Sequence, residues 1–196
     1  MKLSSEFYSR HTEKVAREIL GKILAHKTGE GTLKGKIVEV EAYLGLDDPG
    51  AIGFRRVKNI PQALLMPAGY TFVYFTYGNH WMLNVNAKMG KLGAVLIRAL
   101  EPLEGIEIMK RNRGISDTRN LTNGPGKLTK AFGIDKRHNG LDLTGDELFI
   151  ENSDEKVKVA RSTRIGISKG KTKMLRFYIK SNRFVSKFRE HQKRAG

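Results

Sequence analysis

The chain contains no cysteine, and this absence excludes disulfide bonds, thiolate zinc sites and cysteine nucleophiles. A zinc deaminase of nucleobases is excluded for the same reason, because its signature contains Pro-Cys-x-x-Cys. The sequence also has no Walker loop, no Gly-x-Gly-x-x-Gly motif, no signal-peptide pattern and no apolar run near the ~20 residues that a membrane-spanning helix needs. We therefore expect a soluble, intracellular protein of the cytoplasm and nucleoid, or of a nucleus, with no membrane partner.

Acidic residues are few beside the basic ones: 20 Asp and Glu stand against 36 Lys and Arg, for a net charge of +16. This surplus favours a polyanionic partner, above all a nucleic acid. An anionic membrane surface comes second, because no basic amphipathic helix stands out. Thermophilic proteins are rich in lysine too, but also in glutamate, unlike this chain. A length of 196 residues predicts a single domain over 1–196, with a basic tail from about residue 186. We also expect a monomer.

One stretch, residues 36–45 with the sequence KIVEVEAYLG, has the period-2 pattern of a strand. Its residues alternate between two sets, Val38, Val40 and Ala42 on one face and Glu39, Glu41 and Tyr43 on the other. Two interpretations of the second face remain open at this point. It is either an exposed acidic face over an apolar core, or a general base beside an aromatic ring on which a base can stack.

The rest of the chain predicts an α+β fold, mainly an antiparallel, curved sheet of hairpins and a meander with peripheral helices. The predicted strands are 22–27, 32–43, 70–77, 80–87, 92–100 and three short ones near 147–151, 156–161 and 173–180. The hairpin tip at 77–79 exposes Tyr77. The long connection 44–68 favours a lid or binding loop, with plain surface mobility as the alternative.

Three helices complete the prediction. The first is capped by Thr12 and ended by Gly21. The second begins at Pro102 and runs to about residue 112, burying Leu103, Ile106 and Met109. The third opens at residues 124–127 and ends at Gly133; its free N–H groups and Lys127 can hold a phosphate, or it is an ordinary capped helix.

Six stretches together resemble the alkyladenine, or 3-methyladenine, DNA glycosylases. They are residues 36–45 (KIVEVEAYLG), 74–86 (YFTYGNHWMLNVN), 95–105 (VLIRALEPLEG), 123–128 (NGPGKL), 164–167 (RIGI) and 175–178 (LRFY). They run in family order across nearly the whole chain. The resemblance implies a monofunctional base-excision enzyme that flips a damaged purine out of double-stranded DNA and hydrolyses the N-glycosidic bond with an activated water. It implies 3-methyladenine, 7-methylguanine, hypoxanthine and ethenoadenine as substrates, and neither a metal, a cofactor nor a lyase step.

The resemblance also implies a role for individual residues. Glu41 is the expected general base, and Arg98 and the backbone carbonyl of Ile165 hold the water. For the flipped base, the implied residues are Tyr43 as the stacking ring, Tyr74 as pocket wall, Asn84 against the amino group of guanine, and Tyr77 as the wedge that enters the stack. The basic segments supply four expected phosphate contacts, Lys127, Arg161, Thr163 and Arg164. Without the resemblance, Arg98 could equally pair with a surface carboxylate, and Asn84 could be a satisfied core amide.

The sequence departs from the family pattern at three places. Ile52 stands where the family has a pocket histidine, the family's Thr-Pro-Arg-Asn stretch is not recognisable in residues 57–61, and Asn79 replaces a larger apolar residue, usually methionine, beside the wedge. We therefore expect an intact catalytic core with a rebuilt base-recognition wall. Two other functions stay open: a basic nucleic-acid-binding module without chemistry on the same fold, and a metal nuclease using clustered carboxylates. Glu39 has no role in the resemblance, and Glu39→Gln is expected to retain most activity.

Overall fold

A curled antiparallel sheet of eight strands is the framework of the residues that the computed structural model describes, which are 1–51, 61–76, 78–90 and 92–186. The strands are β1 (Ile23–Thr28), β2 (Gly31–Tyr43), β3 (Thr71–Thr76), β4 (His80–Asn86), β5 (Ala94–Glu104), β6 (Leu148–Glu151), β7 (Val159–Ser162) and β8 (Arg176–Ile179). Their order is β3-β4-β5-β2-β1-β6, and β8 joins β2 to β7. The α+β prediction, with its hairpins and meander, is confirmed.

Five short α-helices lie around this sheet within the described ranges. They are α1 (Ser5–Tyr8), α2 (Thr12–Glu18), α3 (Gln62–Leu65), α4 (Ile106–Arg113) and α5 (Pro125–Phe132), and two 3₁₀ turns occupy Thr118–Asn120 and Lys136–His138. Residues of α2, α4 and α5 pack with one face of the sheet into the main hydrophobic core. Among the described helices, none is long and apolar enough to cross a membrane.

The long strand β2 has three neighbours. β5 pairs along one edge, while the other edge is shared by β1, opposite residues 31–36, and by β8, opposite residues 39–41. Along this edge, the pairing partner of β2 therefore changes from β1 to β8 about halfway along the strand. This exchange places Arg176 of β8 directly opposite Glu41.

The predicted strict alternation in β2 is wrong at Val38. The β2–β5 register shifts on both sides of Glu39, which is the signature of β-bulges. As a result Val38 leaves the main core and packs with Ala99 and Phe184 instead. The two glutamates, Glu39 and Glu41, are both completely buried, so the interpretation of an exposed acidic face is also wrong.

Two predicted helix starts are wrong. Pro102 lies inside β5 opposite Gly35, where β4 no longer pairs with β5 and the missing N–H of proline costs nothing. The helix α4 begins only after Gly105, whose φ of +73° turns the chain, and Leu103 is consequently exposed. The first helix is preceded by His11, and Thr12 instead donates its hydroxyl to the carbonyl of residue 87 at 2.5 Å.

A pair of buried histidines ties β1 to the 3₁₀ turn at 136–138. His26 Nδ1 lies 2.7 Å from the carbonyl of Phe132, so this nitrogen carries the proton. His138 Nδ1 accepts from the backbone N–H of Asp135, which puts the proton of His138 on Nε2, 3.2 Å from His26 Nε2. Glu147 lies nearby, and these three side chains are the only metal-compatible group found among the described residues. The hydrogen-bond chain satisfies both rings as neutral imidazoles.

The buried pair predicts a pH dependence of stability. The pKa of His26 is lowered, mainly by burial, so the unfolded state binds a proton at this side chain more readily than the folded state does. The free energy of unfolding should therefore fall as the pH drops below about 6.5, the value of an unperturbed histidine. Denaturant titrations at several pH values measure this slope. His26→Gln should flatten it, and the matched variant at exposed His80, His80→Gln, should leave it unchanged; equal slopes in all three proteins would contradict the assignment.

Candidate active site

The side chains predicted to surround the base share one face of the sheet. The register pairs Glu41 with Leu96, Leu96 with Asn84, and Asn84 with Phe72. Directly paired residues point to the same face, so these four form one row across β2, β5, β4 and β3. With strands about 4.8 Å apart, the backbones of Glu41 and Asn84 lie about 10 Å from each other. The main core occupies the opposite face.

The Glu41 carboxylate is buried and receives donors from three parts of the chain. Its Oε1 accepts from the backbone N–H of Ile165 at 2.7 Å and lies 3.3 Å from Arg98 Nη1. Its Oε2 accepts from the Tyr43 hydroxyl at 2.8 Å. The structure thus brings together the four residues to which the sequence analysis assigns the base, the water contacts and the stacking ring.

Tyr43 lies beside a cation and against a smaller apolar cluster. The Arg164 guanidinium lies 4.8 Å from its ring centroid, and Tyr74 packs against the same cluster. Burial, followed by the nearby charge of Glu41, raises the pKa of Tyr43 well above its ordinary value. The phenol therefore keeps its proton and serves Glu41 as a hydrogen-bond donor.

Tyr74 lies on the same face and stacks on Phe72, with ring centroids 5.2 Å apart at 29°. Ala63 and Leu64 of α3 pack in the same cluster, together with Ala51. The described ends of the long connection between β2 and β3 therefore lie against the candidate site, and its role as a binding loop stays a prediction. Phe72 was missed in the sequence analysis, although its position two residues before Tyr74 places both rings on one face.

Asn84 is buried, and its amide nitrogen is committed to the hairpin. The nitrogen donates to the carbonyl of Phe72 at 3.0 Å and approaches that of Met82 at 3.4 Å. These bonds match the alternative of a satisfied core amide. The residue nevertheless stays in the same row as Glu41, so its contact with a base remains a prediction.

Arg98 connects two buried carboxylates. Its Nε donates to Glu39 Oε1 at 3.0 Å while its Nη1 faces Glu41. Burial by itself would lower the pKa of Arg98, but the charges of Glu41 and Glu39 outweigh it and raise the pKa. The alternative that Arg98 pairs with a surface carboxylate is wrong, because both partners are fully buried.

Arg164 does not offer its guanidinium to a phosphate, which corrects the sequence analysis. Its side chain is fully buried and makes a bidentate salt bridge with Asp48, in which Nη1 donates to Oδ2 at 2.5 Å and Nη2 donates to Oδ1 at 2.8 Å. Nη1 also donates to the carbonyl of Ala42 at 3.0 Å. The Arg164–Asp48 pair thus fixes the start of the long loop against β2 and supports the ring of Tyr43.

The other expected phosphate contacts lie at the surface. Arg161 is an exposed residue of β7, and Thr163, also exposed, directly follows the strand, two residues before Ile165. Lys127 is half-buried in the first turn of α5 and donates to Asn123 at 2.7 Å. The predictions for Ile52 and Tyr77 fall outside the described residues. Asn79, the other departure from the family pattern, is exposed in the β3–β4 turn.

Comparison with known proteins gives consistent matches over most of the chain. The family model described as methylpurine-DNA glycosylase matches residues 6–183. Proteins named as 3-methyladenine DNA glycosylases are similar throughout. The one from Chlorobium phaeobacteroides is 44% identical over 94% of this chain and 95% of its own length. Those from Clostridium acetobutylicum and Salinibacter ruber are 46% and 43% identical, over 95% and 94% of this chain and 98% and 96% of their own lengths.

The Arg164–Asp48 pair predicts that alanine substitutions of two neighbouring aspartates, Asp47 and Asp48, differ greatly in their effect on the free energy of unfolding. Asp48→Ala leaves a buried guanidinium without its partner, which should lower the free energy of unfolding by about 3–5 kcal/mol. Asp47 is exposed, so Asp47→Ala should leave it almost unchanged. Urea titrations of the two variants and the wild type measure the difference, and similar midpoints for the two variants would show that the pair does not stabilise the loop.

Proposed function

Because the chain belongs to the methylpurine-DNA glycosylase family, it is a DNA glycosylase that acts in DNA repair, and we propose how it does so. An alkylated or deaminated purine is flipped out of duplex DNA and enters the site beside Tyr43. A water then hydrolyses the N-glycosidic bond. The proposed substrates are 3-methyladenine, 7-methylguanine, hypoxanthine and ethenoadenine.

The observation that carries this proposal is the arrangement of donors around Glu41. An ionised carboxylate offers about four lone-pair positions. Two donors meet Oε1, whereas Oε2 accepts from the Tyr43 hydroxyl alone among the described residues. A second lone pair on Oε2 therefore remains for one water. Arg98 places a positive charge 3.3 Å from the other oxygen, Oε1.

The chemistry needs few groups beyond these. The oxygen of the water forms a bond to C1′ of the sugar while the bond from C1′ to the purine nitrogen breaks. The purine leaves with the electron pair of that bond, and a proton of the water passes to Glu41. Positive charge develops on the sugar in such a reaction, and the buried carboxylate stabilises it.

In this proposal the flipped base stacks on the ring of Tyr43, which Arg164 approaches and which packs against the same apolar cluster as Tyr74. Stacking on an aromatic ring contributes roughly 1–3 kcal/mol per base. Ile52 and Tyr77 keep their proposed roles as pocket wall and wedge on the strength of the resemblance alone.

We assign the nucleophile to water and propose no lyase step. A Schiff-base mechanism requires a lysine amine at the sugar carbon. The groups that contact Glu41 in the described structure are a guanidinium, a phenol and a backbone amide. The alternative of a binding module without chemistry is less consistent with these contacts, because such a module has no use for a buried carboxylate with an arginine beside it.

Glu41→Gln tests the proposed base. The amide keeps the size of the side chain but cannot take a proton, so release of 7-methylguanine or hypoxanthine from a duplex should fall by ~10²-fold or more. Base release and abasic sites are scored under single-turnover conditions, with and without EDTA. Binding of the lesion duplex should stay near the wild-type level.

Three outcomes would contradict parts of the proposal. Excision by Glu41→Gln at the wild-type rate would remove Glu41 from the mechanism. Loss of wild-type activity in EDTA would favour the metal nuclease. A covalent adduct between protein and DNA after borohydride treatment would demonstrate a lyase step.

The basic surface predicts salt-dependent binding. With a net charge of +16 and exposed Arg161 beside the site, log K for a duplex should fall linearly with log salt. Arg161→Ala should reduce the steepness of this line by about 1, the value expected for one lost phosphate contact. The control is Lys2→Ala, which removes a lysine paired with Asp146 and should leave the slope unchanged. Equal slopes for wild type and Arg161→Ala would exclude Arg161 from the interface.

A further inference from the structure

We infer that Glu39 is a positioning residue for catalysis: its buried carboxylate holds Arg98 at a set distance from Glu41. The inference rests on the proposed function of Glu41 and Arg98 and adds to it a third residue. It reverses the expectation from the sequence that Glu39→Gln is nearly silent. The two glutamates differ in their surroundings, although they lie two positions apart on the same strand.

The buried carboxylate of Glu39 accepts hydrogen bonds from four donors of the protein. Oε1 accepts from Arg98 Nε at 3.0 Å, from Arg176 Nε at 2.7 Å and from the Ser186 hydroxyl at 2.7 Å. Oε2 accepts from the backbone N–H of Ser186 at 2.7 Å. Burial by itself would raise the pKa of Glu39, but the charges of Arg98 and Arg176 outweigh it and lower the pKa. Glu39 is therefore a fixed anion, whereas Glu41 is placed to accept a proton.

The backbone supports this division. The register shifts around Glu39 leave Val38 and Arg98 as the extra residues of β2 and β5, respectively. Bulges re-aim side chains and are common beside active sites. Here they place the Arg98 side chain between the two carboxylates, with Nε toward Glu39 and Nη1 toward Glu41. Without the hold on Nε, the guanidinium could turn to pair with Glu41 through two nitrogens.

The charges of the cluster balance. Glu39 and Glu41 contribute two negative charges, and Arg98 and Arg176 contribute two positive charges. Removing the charge of Glu39 leaves Arg98 with Glu41 as its sole carboxylate partner in the described structure. A guanidinium that faces one carboxylate favours the ionised form of that carboxylate more strongly than a guanidinium shared between two carboxylates does. In the Glu39→Gln variant the undivided charge of Arg98 should therefore oppose transfer of a proton to Glu41 more strongly than in the wild type.

A pH series separates this role from a merely structural one. The substrate is a duplex with 7-methylguanine, whose positive charge is already present, so that the acid limb of the single-turnover rate reports on groups of the enzyme. The groups that face the two carboxylates are Arg98, Arg176 and the Tyr43 hydroxyl, and Tyr43 titrates far above the acid limb. For Glu39→Gln we expect a plateau ~10-fold lower and an acid limb displaced to lower pH.

Two further variants complete the design. Glu39→Asp keeps the charge but shortens the reach to Arg98, so its plateau should fall while its acid limb stays near that of the wild type. Glu101→Gln is the matched control: Glu101 is a carboxylate on the same strand as Arg98 and pairs with Lys36. It should retain the wild-type plateau and limb.

The outcomes are distinct. A folded Glu39→Gln with the wild-type plateau and limb, or one changed only in melting temperature, overturns the inference. If Glu39→Gln does not fold, Glu39→Asp and Ser186→Ala decide, because both keep the buried charge; wild-type plateaus in both overturn it. Failure of the proposed function would appear separately, as a wild type that releases no base or a Glu41→Gln variant that releases it at the wild-type rate.

Discussion

The interaction on which the site depends is a buried network of two carboxylates and two guanidiniums. Glu39 and Glu41 come from β2, Arg98 from β5 and Arg176 from β8, so three adjacent strands are joined by charge as well as by backbone hydrogen bonds. Each ion is costly to bury alone, and the network is stable because opposite charges and hydrogen bonds compensate one another. A separate buried pair, Arg164 with Asp48, fixes the loop beside the Tyr43 ring.

The sequence was sufficient for the fold class, the hairpins and the meander, because these follow from period-2 patterns and glycine turns that are local in the chain. The failures are equally informative. The sequence predicts a helix start at Pro102, since nothing local shows that β4 stops pairing with β5 before Pro102. The alternating pattern predicts Val38 on the core face with Val40. The bulge that moves Val38 away cannot be seen locally, because it depends on the register with a strand about sixty residues further along the chain.

Prediction of the site depended on the resemblance, and the geometry adds what the resemblance lacks. The convergence of Glu41, Arg98, Tyr43 and Ile165 follows from family positions, not from spacing or composition. The pairing of Arg164 with Asp48 was not predictable, because the two residues are 116 positions apart and a single sequence does not reveal which of many acids an arginine meets. The same limit concealed the contacts of Glu39.

The order in which the chain is made gives the shared edge of β2 a further consequence. Glu41 leaves the ribosome early, whereas its amide partner Ile165 follows 124 residues later, and Ser186, which binds Glu39, is 147 residues beyond Glu39. A nascent chain that has emerged only through β6 can form the β1–β2 hairpin and already contains Arg98, but it still lacks Arg176 and the amide donors of Ile165 and Ser186. β8 and the segments on either side of it therefore complete the donor set of the two carboxylates after the β1–β2 hairpin has been made.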